Sequence, residues 1–166
     1  MTIFAADPGI DGALFQIDRY GYQGLVMPTS GGKKREINLN AVRDWMRQFP
    51  IHAADNPHMI IEYVGPMPKQ GVCSMFSFGC GWGMLRGLCT GMHIPYTLVR
   101  PQAWQKVMLA GHGKGSEFQV ASALFPNQNW LASPRCRKAH SGLIDAALIA
   151  EYGRRMLNGE RHVESK

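Results

Sequence analysis

Hydrophobic and polar positions change rhythm several times along this chain. Thr2 to Ala6 form a short apolar run that stops at an acid, Asp7. Runs of this length bounded by turn signals predict a buried strand rather than a helix. "GALFQIDR" alternates apolar and polar positions and predicts a second strand. The intervening Asp-Pro-Gly-Ile-Asp-Gly carries the residues of a tight turn, so the two strands form a hairpin. "YQGLVMP" predicts a third strand and "SGGKKRE" a polar, basic loop. In "NLNAVRDWMRQF" the apolar Leu39, Val42, Trp45, Met46 and Phe49 fall at helical spacing, with Asn38 or Asn40 as the cap.

"HMIIEYV" (His58 to Val64) predicts another buried strand, carrying a single acid, Glu62. "GPMPKQG" reads as a loop, followed by a glycine-studded helix from about Ser74 to Met92. "IPYTLV" predicts a strand, "RPQAWQKVML" a helix with Pro101 near its start, and "KGSEFQVASALF" a further helix. "NQNWLASPRCRK" is a loop, and "SGLIDAALIAEYGRRML" a closing helix. An antiparallel meander followed by alternating strands and helices places the chain in the α/β class.

Composition narrows this picture. With 166 residues, 45% hydrophobic and 18% charged, the chain is long enough for one compact domain with a sizeable core. A net charge of +6 and a pI near 9.4 favour an anionic partner such as nucleic acid. Cys73, Cys80, Cys89 and Cys136 form no CxxC pair, which excludes zinc spacing and suits buried or inert thiols in a reducing compartment. The opening residues lack the pattern of a secretory signal. Gly71 to Ile94 is interrupted by Arg86 and falls short of the roughly 20 apolar residues of a membrane crossing. The expectation is a cytoplasmic protein with no membrane partner.

Three carboxylates stand out because each lies in an apolar element: Asp7 at a strand end, Glu62 late in "IIEYV", and Asp145 in the last helix. A buried ionised carboxylate needs a cation, a set of donors or a raised pKa. One explanation covers all three, namely that the elements converge and the acids share a divalent metal. Hard oxygen donors suit Mg²⁺ or Mn²⁺, and two such ions roughly 4 Å apart serve phosphodiester hydrolysis. The separate explanations are a turn residue, a salt-bridge partner and a helix charge. His140 stands at the start of the last helix, where it either contacts phosphate, moves a proton, or is a polar surface group.

The ordered set "DPGIDGAL", "IIEYV" and "HSGLIDAALIAEYG" resembles the RuvC-type Holliday junction resolvases, most of all their phage and plant-organelle branch. "KQGVCSMFSFGCGWGMLRG", "RPQAWQKVML" and "KGSEFQVASALFP" extend the resemblance over roughly residues 1 to 157, leaving a short basic tail. Asp-Pro-Gly turns are common and each motif alone is weak; the series in order is the signal. The resemblance implies a ribonuclease H-like fold, a mixed five-stranded sheet flanked by helices, in a single nuclease domain. It implies a homodimer and Mg²⁺-dependent symmetric nicking of four-way DNA junctions in recombination and repair, in a bacterial or phage-infected cell. Carried over by position, Asp7, Glu62 and Asp145 are the metal-binding acids and His140 an accompanying catalytic group. Relatives usually carry another acid shortly before the helix aspartate; here Ser141 and Gly142 stand there, and Asp11 is a conceivable substitute.

Between Pro66 and Arg86 the chain mixes Lys69, Gln70, Phe76, Phe78, Trp82 and Arg86 with glycines. Aromatics beside cations can stack on unpaired bases while the cations hold phosphates, unless the aromatics are core or dimer residues. Lys106 and Lys114 flank the substrate side in the resemblance and are the preferred phosphate contacts. Gly79, Gly83, Gly87 and Gly91 recur every four residues, a stripe suited either to a helix from a second copy or to close packing within one subunit. "GHGKGS" lacks phosphate-loop spacing, so no nucleotide cofactor is expected. Sugar-kinase and actin-like ATPases share the core fold but duplicate it, which 166 residues do not allow. A junction-binding protein without catalysis and a hybrid-cutting ribonuclease H remain as rivals to the endonuclease.

Overall fold

A computed structural model describes residues 1–63, 65, 71–113 and 115–159. Strands β1 (Thr2–Asp7), β2 (Ala13–Asp18) and β3 (Gly21–Val26) form the expected meander. A small ribbon of β4 (Thr29–Ser30) and β5 (Glu36–Ile37) brackets the basic loop, and helix α1 (Leu39–Met46) follows. Asn38 caps α1 by accepting from the Ala41 amide at 3.1 Å. Next come β6 (Pro57–Glu62), α2 (Val72–Gly91), β7 (Tyr96–Val99), α3 (Pro101–Met108), α4 (Glu117–Leu124) and α5 (Ser141–Leu157).

The main sheet has the order β3-β2-β1-β6-β7, antiparallel from β3 to β1 and parallel from β1 to β7. This central position explains why β1 reads as continuous apolar sequence, since both of its faces are covered. Ile3, Ala5, Phe15 and Ile60 pack under α3, α4 and α5. Phe4, Ala6, Leu14, Met59 and Ile61 face the other way, towards α1 and α2. Helix α5 lies close on the sheet because its inner positions are small: Ala146, Ala147 and Ala150 are fully buried, and a methyl at Gly153 would overlap Ile60.

Three differences from the sequence reading bear on function. β6 ends at Glu62 rather than running to Val64, which is outside the described residues. Helix α2 begins at Val72, two residues before Ser74. Its glycine stripe serves no packing within the described part of the subunit, for a methyl built at Gly79, Gly83, Gly87 or Gly91 meets nothing within 4 Å. The glycine that α2 needs internally is Gly81, where a methyl would press on Ile37 at 2.8 Å. Cys89 is buried, whereas Cys73 and Cys80 lie on the exposed side of α2. Among the described residues no helix is long and apolar enough to cross a membrane.

Candidate metal-binding active site

Register brings the first two acids together. β1 and β6 pair in parallel with Ala6 opposite Ile61, and each strand then ends on its acid, Asp7 and Glu62. Both carboxylates therefore stand at the carboxyl edge of adjacent parallel strands, the usual place for a site in such sheets. Side chains alternate along a strand, so Asp7 follows Ile3 and Ala5, and Glu62 follows Ile60, onto the α5 face. Asp145, one turn into α5, belongs to the helix packed on that face.

Electrostatics links the three. Burial raises the Asp7 carboxyl above its ordinary range, while the Gly9 amide and the nearby His140 pull it down. Burial also raises Glu62; a hydrogen bond from Trp104 opposes this, and the negative Asp7 adds to it. Asp145 is pushed up to about 7 by burial and by the charges of Asp7, Glu62 and Glu117. Asp7 raises Glu62, and both raise Asp145, so the three acids lie near enough to act on one another electrostatically. The donor set, hard carboxylate oxygens, fits Mg²⁺ or Mn²⁺. Among the described residues no three acid, imidazole or thiol groups lie close enough together to share an ion.

His140 is the N-cap of α5: its Nδ1 accepts from the Leu143 amide at 3.3 Å, and its own amide donates to the Trp130 carbonyl at 2.7 Å. Nδ1 acting as acceptor leaves Nε2 as the protonated nitrogen of the neutral ring. Glu117, in the first turn of α4, was not singled out in the sequence. An acid there is ordinary chemistry for a helix N-terminus, and only the packing of α4 on α5 brings its charge to bear on Asp145.

Packing accounts for the glycine at position 142. The α5 N-terminus presses on the turn after Asp7, and a methyl at Gly142 would lie 2.8 Å from the Gly12 backbone. Ser141 is exposed. Asp11 pairs with Arg35 at 2.7 Å on the surface. Gly142→Asp is therefore expected to destabilise the protein by about 1–3 kcal/mol, the usual range for overpacking, rather than to complete a ligand set. Chemical denaturation of both proteins checks this.

Of the candidate DNA contacts, Phe76, Phe78, Arg86 and Lys106 are among the described residues. Phe76 is 72% exposed on α2, and Phe78 is half-buried. Ile10, in the turn after Asp7, joins Phe76, Ile37 and Met84 around a cavity of about 130 Å³, and lines a shallower one with Phe78. Arg86 is held within the fold, its guanidinium 4.3 Å from the Trp82 ring and its Nε donating to the Tyr96 hydroxyl at 3.2 Å. Lys106 is exposed on α3. Lys69, Gln70 and Lys114 lie outside the described residues.

Solved structures with a similar arrangement share this sheet and its helices. Over 94% of this chain and 96% of the other, the protein resembles "T. thermophilus RuvC in complex with Holliday junction substrate", with a TM-score of 0.61 and 15% identity. The fold is ribonuclease H-like, as in RuvC. "Thermus thermophilus RuvC structure" matches over the same shares with a TM-score of 0.53 and 15% identity. No protein-family model matches the chain, and no curated relative does so significantly. At this identity the RuvC likeness establishes architecture alone, and the chemistry rests on the acids.

Proposed function

We propose that the protein is a metal-dependent endonuclease that resolves four-way DNA junctions by symmetric phosphodiester hydrolysis. The observation that carries this reading is the gathering of Asp7, Glu62 and Asp145 from three elements at the carboxyl edge of the sheet. Its support is the RuvC-like fold, since one of the similar structures is a RuvC bound to a Holliday junction substrate. Asp7, Glu62 and Asp145 would hold Mg²⁺ or Mn²⁺, with two ions per site. Bound there, the metal supplies an activated water and stabilisation of the leaving oxygen. His140, with Nδ1 committed to the helix cap, has Nε2 to contact phosphate or move a proton.

The remaining features fit the same reading. Exposed Phe76 would stack on unpaired bases at a junction centre, and the surplus of positive charge would hold phosphates. The open glycine stripe of α2, next to exposed Val72, Phe76 and Met84, would receive the same helix of a second copy, giving the dimer that symmetric cutting needs.

Gly142 supports a second reading, a binding module without catalysis, because it excludes the additional acid. An end-labelled four-way junction and a linear duplex, each incubated with Mg²⁺ and with EDTA, separate the two. Paired nicks confined to the junction and lost in EDTA are expected. Tight binding without cutting in either Mg²⁺ or Mn²⁺ would establish the binding module instead.

A further inference from the structure

We propose that Trp104 is a positioning residue for Glu62, holding one carboxylate oxygen so that the other faces the ion site. The inference rests on the metal-site reading above and adds a residue to it.

Trp104 is 1% exposed, on the inner face of α3, and its indole N–H donates to Glu62 Oε1 at 2.8 Å. The contact spans two elements fixed by separate means. Glu62 is the last residue of β6, opposite Val99 of β7, and the Tyr63 amide donates to the Val99 carbonyl at 2.7 Å. Helix α3 starts straight after β7, with Pro101 in its first turn, so its fourth residue comes to lie beside the strand end that carries Glu62.

The chemistry of the donor suits the task. An indole N–H donates a single bond and accepts none. It fixes the carboxylate without bringing a positive charge that would compete with a metal ion, as an arginine or lysine would. With one lone pair of Oε1 engaged by the indole, Oε2 keeps both of its own for coordination. Groups that orient metal ligands in this way commonly change metal affinity by about 10–100-fold when removed. Two of the other three indoles make a contrast: the Nε1 atoms of Trp45 and Trp82 are buried without a hydrogen-bond partner, while that of Trp104 is aimed at the acid. The aromatic body of Trp104 belongs to the core beneath α5, so packing holds the ring and the N–H holds Glu62.

The test uses the full-length protein labelled with ¹⁵N, whose four tryptophans give four indole N–H signals. Trp104→Phe identifies one signal by its loss; elimination with Trp45→Phe, Trp82→Phe and Trp130→Phe does so if that variant does not fold. Glu62→Gln is expected to shift the Trp104 signal, and a Mg²⁺ titration of the wild type is expected to move it as well. Trp104→Phe is expected to weaken Mg²⁺ binding, followed by calorimetry, about tenfold. A merely structural role for Trp104 would leave its indole signal unmoved by Mg²⁺. A Trp104 signal indifferent to Glu62→Gln, or Mg²⁺ binding unchanged in Trp104→Phe, overturns this inference alone. No Mg²⁺ response in the wild type overturns the metal-site reading and this inference with it.

Discussion

Asp7→Asn is expected to reduce junction cutting by on the order of a thousandfold while leaving junction binding within about twofold. Asp7 ends the central strand of the sheet, and both neighbouring acids feel its charge. Asparagine keeps the shape and one acceptor oxygen but removes the charge on which a cation would depend. A loss of about 4 kcal/mol of transition-state stabilisation corresponds to that thousandfold. Binding should survive because phosphate contacts, in this reading, come from basic side chains away from Asp7. Single-turnover cleavage and a gel-shift titration of the same preparation measure the two effects. Cutting by Asp7→Asn at the wild-type rate would show that the site is misassigned.

Asp145→Asn is expected to melt about 3–6 °C higher than the wild type at pH 8 without metal, and at nearly the same temperature at pH 4. The sign follows from linkage. The Asp145 carboxyl is raised from 3.8 to about 7 in the folded protein, so the folded state binds its proton more tightly than the unfolded chain. That contribution to stability is fully present below about pH 4 and is lost as pH rises through 7. Above that, burial and the charges of Asp7, Glu62 and Glu117 act against an ionised Asp145. A domain of this size shifts by about 2–4 °C per kcal/mol, and solvent near the partly exposed group limits the effect to about 1–2 kcal/mol. Glu151, lowered by Arg154 and Arg155, and His58, lowered by burial, respond to pH in the opposite direction. Comparing variant with wild type at each pH cancels both. In the site proposed here, Mg²⁺ should raise the wild-type melting temperature at pH 8 and leave Asp145→Asn little changed.

The two results together would describe a site that is costly to the apo fold and useful once charged with metal. Destabilised carboxylates of this kind are a common mark of functional sites, where stability and activity pull in opposite directions. Glu151 shows the contrast. It is as deeply buried as any acid among the described residues, yet Arg154 and Arg155 satisfy it at 2.7 and 2.8 Å, and its pKa falls rather than rises.

Most elements were legible in the linear pattern, and for local reasons. The hairpin around Asp7 follows from its turn residues, α1 from its spacing and Asn38, and α3 from Pro101. Asp7, Glu62 and Asp145 could be picked out because a charge in an apolar run is conspicuous without any structure. Arg86, grouped in the sequence with candidate DNA contacts, sits stacked between Trp82 and Tyr96, since Tyr96 arrives from a strand the local pattern does not connect to α2.

What the sequence by itself determined is therefore the strand and helix order, the class, and the acids worth suspecting, because these depend on neighbours a few residues apart. Only the tertiary structure decided which groups meet. The parallel register sets Asp7 beside Glu62, the packing of α4 on α5 adds Glu117, and α3 delivers the Trp104 indole to Glu62 across 42 positions of chain. It also decided that Gly142 admits no side chain, because the α5 N-terminus rests on the Gly12 backbone. Each of these is a contact between distant segments, and its physical cause is the close packing of elements that the local pattern describes only one at a time.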